Sequence, residues 1–324
     1  MAKKRLTQAI NEAFVEEMTR DPRIVLYGED VIVSLFGDTR GLHAKFGGER
    51  VRNTPISENA LTSMAVGAAM TGMPVVCHLM FANFLYTGFD AIANQAAKLR
   101  LMTGGQARLP VVFVGAMGGG TSTAAQHSDT PYPVLMNLGG INVAVPATPA
   151  DAKGLMKTAL RSDGPTVYLI PRTRGGVMGE VPDGDHLVPF GKATVHRSGR
   201  DLTLVAMGAT VSHAMTVAQQ AAEEGIEIEV IDPRTLVPLD EDAIVASVER
   251  TGRLVIADES RDRCSAASHI AAVVAERAFG ALRAPPHRVT VPNVSMPYAP
   301  AIERSLLPEP ARILEAVRAS MQGR

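Results

Sequence analysis

Residues 57–77 read SENALTSMAVGAAMTGMPVVC: a polar start, a run dense in alanine and glycine, a Gly-Met-Pro break and a short apolar end. Ser57 is placed to cap a helix over Glu58–Thr71. Along that helix Ala60, Ala65, Gly67, Ala68 and Ala69 let another backbone come close, and Pro74–Cys77 then reads as a buried strand. The same two-part unit recurs, with a helix over Gly88–Leu101 before a strand at Leu109–Val114, and a strand at Ile141–Val145 before a helix over Pro149–Arg161. Upstream, Ala9, Ile10, Ala13, Phe14 and Met18 lie at helical spacing within Thr7–Arg20, Asp21-Pro22 stops that helix, and Ile24–Tyr27 follows as a strand. Short apolar strands alternating with small-residue helices predict an α/β fold with a parallel sheet covered on both faces. Ligands of such sheets sit beyond the carboxyl ends of the strands.

From Arg172 to Pro189 the pattern gives way to glycine, proline and charge, the composition of a connecting segment. We therefore expect two domains, residues 1–186 and 187–324. In the second, strands at Leu202–Ala206, Ile228–Ile231 and Arg253–Ala257 alternate with helices over Val211–Glu224 and Glu241–Arg250, which predicts a smaller α/β domain.

Composition excludes several classes. Lys and Arg total 32 against 33 Asp and Glu, a net charge of -1, so no basic field exists to hold nucleic acid or an anionic membrane. Cys77 and Cys264 stand far apart, outside any disulfide or zinc spacing, which fits a reducing, cytoplasmic setting. Glu12, Glu16 and Glu17 interrupt the first helix, so no apolar signal core follows the basic start. No run reaches the ~18 apolar residues of a membrane span, and a soluble protein is expected. With 46% hydrophobic residues, 15 Met and no Trp, the core must be mainly aliphatic.

Glu58 supports two readings. A carboxylate in the first turn of a helix interacts favourably with the helix dipole. Buried among small apolar residues, the same group would have its proton affinity raised toward a useful range for proton transfer. His127 lies in a loop after Gly118-Gly119-Gly120, where a polar side chain is either functional or merely solvated. The triple glycine lacks the Lys-Ser/Thr ending of a phosphate loop and reads as a flexible turn. His78, His186, His196, His213, His269 and His287 show no ligand spacing, and Met64, Met70, Met73 and Met80 read as core filling.

Several motifs together carry a resemblance: Tyr-Gly-Glu-Asp-Val (27–31), Arg-Val-Arg-Asn-Thr-Pro-Ile-Ser-Glu (50–58), Asn-Gln-Ala-Ala-Lys (94–98), Ala-Gln-His-Ser (125–128) and Asp-Ala-Lys-Gly-Leu (151–155). Glu229 to Leu236, Pro238-Leu239-Asp240 and Met296-Pro297-Tyr298-Ala299 continue it. Over nearly its whole length the chain resembles the beta subunits of thiamine-diphosphate-dependent pyruvate, branched-chain 2-oxo acid and acetoin dehydrogenases, in the transketolase superfamily. The resemblance implies an N-terminal pyrimidine-binding domain, a transketolase-like C-terminal domain, and thiamine diphosphate with Mg2+ as cofactor.

By that resemblance Glu58 hydrogen-bonds the ring nitrogen of the aminopyrimidine, Phe84 packs on the pyrimidine ring, and His127 helps transfer the acyl group to lipoamide. The diphosphate and Mg2+ belong to an alpha subunit carrying a Gly-Asp-Gly motif, which this sequence lacks. An alpha2beta2 heterotetramer is implied, with a lipoyl acyltransferase as a further partner and a 2-oxo acid or acetoin as substrate. Some relatives bind K+ through backbone carbonyls at positions matched by Val111, Ala159, Leu160, Ser162 and Gly164. Relatives often differ at His78, Asp129, Asn137 and Ala60, around the substrate side. A split transketolase is the rival enzyme reading and calls for a basic phosphate-binding cluster. A silent structural subunit is the third, against which Glu58 and His127 stand.

Overall fold

Apolar residues at helical spacing fold Leu6–Arg20 into α1, which buries Leu6, Ile10, Phe14 and Met18 and ends at Asp21. The computed structural model describes residues 2–323. The chain forms two units. One comprises the chain up to Met117 together with Val134–Phe190, and the other comprises Gly118–Pro133 and the chain from Gly191 onward.

In the first half of the chain the strands are β1 (Ala2–Arg5), β2 (Val25–Gly28), β3 (Val51–Asn53), β4 (Val75–Phe81), β5 (Val111–Met117), β6 (Asn142–Ala144), β7 (Thr166–Pro171) and β8 (Met178–Val181). The helices after α1 are α2 (Leu42–Phe46), α3 (Glu58–Met70), α4 (Ala97–Met102), α5 (Tyr132–Met136) and α6 (Pro149–Leu160). Six strands of the first unit run parallel in the order β6-β7-β5-β4-β2-β3. Because helices cover both faces, the central strands are apolar throughout, and all of β5 is buried.

Two features depart from the sequence expectation. The glycine- and charge-rich stretch after Arg172 is more than a connector, since it contains β8, which pairs antiparallel with β1 from Ala2↔Val181 to Arg5↔Met178. The helix expected over Gly88–Leu101 widens into a π turn at Ala91–Ala96 before α4.

An ionic network joins α1 to α6. The buried ammonium groups of Lys153 and Lys157 donate to Glu16 at 2.7 and 2.6 Å, and Lys157 also meets Asp185 at 2.7 Å. Arg161 donates to the buried Glu17 at 2.7 Å. Sequence patterning places Lys on a helix surface; here each buried cation is held by carboxylates that offset its desolvation.

The second unit contains β9 (Thr194–Arg197), β10 (Leu202–Ala206), β11 (Ile228–Asp232), β12 (Thr235–Val237), β13 (Leu254–Arg261) and β14 (His287–Val291). Its helices are α7 (Thr210–Glu223), α8 (Glu241–Thr251), α9 (Ala266–Arg277), α10 (Pro300–Leu306) and α11 (Pro310–Met321). A five-stranded sheet runs β14-β13-β10-β11-β9, parallel except for the edge strand β9. Side-chain caps at Asp240 and Ser265 start α8 and α9. Among the described residues no helix is long and apolar enough to cross a membrane.

Lys157→Ala removes a buried cation from between Glu16 and Asp185, which keep Lys153 and Arg161, and should lower the unfolding free energy by about 1 kcal/mol. Urea denaturation followed by circular dichroism checks it, and an unchanged midpoint would show that water replaces the ammonium group at no cost.

Candidate active site

Strand β2 ends at Gly28 and delivers Glu29. Gly28 is paired with His78 on β4, and a Cβ there would lie 2.0 Å from the His78 carbonyl oxygen, so only glycine fits. The next strand in the sheet, β3, leads through Thr54-Pro55-Ile56 to α3, whose first residue is Glu58. Ser57 occupies the capping position, but its side chain makes no capping bond, contrary to the sequence expectation. The first turn is held from elsewhere. Thr62 Oγ1 donates to the Glu58 carbonyl at 2.8 Å and to that of Gly88 at 3.3 Å, and Tyr27 Oη donates to the Leu61 carbonyl at 2.8 Å. Gly88 packs so tightly on Thr62 that a Cβ would lie 2.4 Å from Oγ1.

This scaffold sets two carboxyl groups together beyond the carboxyl end of the sheet. Glu58 is 6% exposed and Glu29 7%. Glu29 Oε1 is buried without a hydrogen-bond partner. Burial, and after it the negative charge of Glu58, pushes the Glu29 carboxyl up from 4.5 to about 7, with Asp30 adding to the effect and His78 opposing it. A buried carboxyl beside a second carboxylate ionises less readily, so Glu29 retains its proton toward the neutral range.

His78 is buried beside this pair on β4. The Met80 backbone N–H donates to its Nδ1 at 3.2 Å, which leaves Nε2–H to donate to the buried Asp38 Oδ2 at 2.9 Å. His78 shows no ligand spacing in the sequence, because its partner Asp38 arrives from a distant loop. Phe84 follows β4 on a short 3-10 turn, Ala82–Tyr86, and is half-buried. Its ring meets Phe81 edge-on at 6.2 Å, Phe81 meets Phe36 at 5.4 Å, and the Arg172 guanidinium lies 5.1 Å from the Phe81 ring.

Glu58 and Phe84 thus share the carboxyl end of one sheet, whereas His127 belongs to the second unit, in the half-buried turn Ala125–His127. Of the positions matched to K+, Val111 opens β5, Ala159 and Leu160 close α6, and Ser162 and Gly164 follow it. The Leu109 N–H donates to the Asp163 carbonyl at 2.9 Å and draws these segments into one corner. There the Ala159 carbonyl already accepts from Ser162 N–H at 3.2 Å.

Residues 2–176 match the transketolase pyrimidine-binding domain, and residues 191–313 match the transketolase C-terminal domain. The chain is 43% identical to the beta subunit of acetoin:2,6-dichlorophenolindophenol oxidoreductase from Cupriavidus necator, over 97% of this chain and 96% of that one. It is 37% identical to the beta subunit of the pyruvate dehydrogenase E1 component from Staphylococcus epidermidis, over 99% and 100%. The 2-oxoisovalerate dehydrogenase beta subunit of Bacillus subtilis is also 37% identical, over 96% of each chain. Among solved structures, a split-gene transketolase described as an inactive beta4 tetramer aligns with a TM-score of 0.80 at 27% identity, over 98% of both chains.

The Glu29 shift gives a pH signature. The folded chain keeps the Glu29 proton up to about pH 7 while the unfolded chain releases it near 4.5, so across that window the folded form binds more protons and loses stability as pH rises. Glu29→Gln removes this loss, and its stability relative to the unaltered chain should climb through the window and level off above it. Thermal midpoints of the two chains measured in parallel check this; a pH-independent difference contradicts it.

Proposed function

We propose that this chain, which belongs to the transketolase-like family of dehydrogenase beta subunits, contributes the proton-handling half of a thiamine-diphosphate site completed by an alpha subunit. The observation that carries the reading is the buried Glu58 with Glu29 beside it, at the ligand-binding end of a parallel sheet. The residues fit an aminopyrimidine: a buried carboxylate at Glu58, a neighbouring oxygen at Glu29 Oε1 lacking a hydrogen-bond partner, and a half-buried aromatic ring at Phe84.

When bound, thiamine diphosphate supplies the electron sink for cleaving the bond next to the donor carbonyl. Glu58 would hydrogen-bond the pyrimidine ring nitrogen. Glu29, with a value of about 7, retains or releases the compensating proton near neutrality, so the pair changes protonation without stranding a second buried charge. Phe84 offers a ring for packing on the pyrimidine. His127 takes part in passing the acyl group to a lipoyl acceptor carried by an acyltransferase.

The diphosphate and Mg2+ are assigned to the alpha subunit, because Gly-Asp-Gly occurs nowhere in this sequence. Assembly as alpha2beta2 draws support from the exposed face of α3, where Ala60, Met64 and Gly67 face outward and a Cβ on Gly67 would meet nothing within 4 Å. K+ would use the carbonyl corner between α6 and β5. As donor we favour acetoin over pyruvate, since the two acetoin-named relatives are 43% and 42% identical against 36–38% for the pyruvate-named ones. A two-carbon ketol transfer is the second reading, favoured by the likeness to split transketolase. Ketose phosphates would then serve as donors in place of acetoin.

Glu58→Ala, co-purified with an alpha partner bearing Gly-Asp-Gly, should lose about a hundredfold or more in donor-dependent dye reduction while the complex sediments unchanged. Turnover close to that of the unaltered complex would overturn the role given to Glu58.

A further inference from the structure

We propose that Glu303 and Glu259 are positioning residues that fix the backbone of the Gly118–Pro133 loop and so set the presentation of His127 for acyl transfer. The proposal rests on the reading of His127 given above. Glu303, on α10, is 1% exposed, and its carboxylate accepts from the loop alone: Oε1 from Gly120 N–H at 2.9 Å, and Oε2 from Ser122 N–H at 2.9 Å and Ser122 Oγ at 3.1 Å. Glu259, near the end of β13, accepts from Gly119 N–H at 3.2 Å. A buried carboxylate surrounded by such donors is both compensated and immobile.

Two of the glycines sit where a side chain would be crowded. Gly118 has φ +92°, and a Cβ on it would lie 2.8 Å from Glu259 Oε2. On Gly119 it would lie 3.1 Å from Met296 Cε and 3.2 Å from Leu307 Cδ2. The stretch that reads as a flexible turn is therefore pinned, and its N–H groups are committed to carboxylates, which excludes a phosphate cradle. Beyond His127 the loop is anchored again. Asp129 accepts from Arg261 at 2.7 Å, Thr130 Oγ1 donates to the Glu259 carbonyl at 3.4 Å, and Tyr132 Oη donates to Asp258. Gly118 N–H donates to the Asp129 carbonyl at 3.0 Å and closes the loop base. Between the anchors, Ser122 and Ala124 hold left-handed backbone at φ +54° and +61°. Non-glycine residues adopt that conformation where their surroundings over-determine it.

In the transfer step the S–S bond of the lipoyl ring breaks. One sulfur bonds the acyl group, the other takes a proton from His127, and the two electrons come from the oxidised donor. Reduction of 2,6-dichlorophenolindophenol forms no bond to sulfur and bypasses this step.

Glu303→Gln keeps the shape but replaces one accepting oxygen with an N–H donor, so one edge of the clamp is lost. In the assembled alpha-beta complex we expect faster amide exchange at residues 119–128 and a drop of about tenfold in lipoamide acylation, with dye reduction within about twofold of normal. His127→Ala should lower lipoamide acylation at least as far, with loop exchange unchanged. Unchanged exchange in Glu303→Gln, or a parallel fall of both rates, overturns the clamp. Unaltered lipoamide acylation in His127→Ala overturns instead the role of His127, and with it the catalytic consequence of the clamp.

Discussion

A carboxyl group buried beside a second carboxyl group loses its proton less readily than in water, and Glu29 is held in that situation next to Glu58. Much of the first unit serves to maintain it. The β2–β4 register sets Gly28 against the His78 carbonyl, so Glu29 emerges at a fixed height. Tyr27 and Thr62 tie the backbone of the first turns of α3 to the sheet and to Gly88, which fixes the point from which the Glu58 side chain extends. A proton that moves within the neutral range is the chemical product of this restraint.

How much of this could be read from the sequence depends on the range of each interaction. The parallel sheet was legible because strands buried on both faces are runs such as Val111-Val112-Phe113-Val114, which no other short element mimics well. β1 and β8 were hidden, since Ala2–Arg5 is mostly basic and its pairing partner lies in a glycine-rich stretch. Glu58 stood out through its place at the start of a small-residue helix. Glu29, equally buried, lies within the Tyr-Gly-Glu-Asp-Val motif, but its raised proton affinity has no local signal, because it is created in part by a residue on another element. The His78–Asp38 pair escaped notice for the same reason.

The second unit repeats the pattern with a different outcome. Gly118-Gly119-Gly120 announced a loop, but its rigidity comes from Glu259 and Glu303, far along the chain. In the first unit, α1 and α6 are likewise fastened by Lys153 and Lys157 against carboxylates that sequence periodicity would assign to a solvated face. In each case an ionic or hydrogen-bonded contact between distant segments turns an unremarkable local sequence into a fixed feature.

Central to this account is a site divided between chains, with the pyrimidine end here and the diphosphate end on an alpha subunit. Titration calorimetry with thiamine diphosphate and Mg2+ addresses it most directly, on this chain alone and on its complex with an alpha partner carrying Gly-Asp-Gly. We expect saturable binding in the complex and none to the isolated chain; tight binding to the isolated chain would contradict the division.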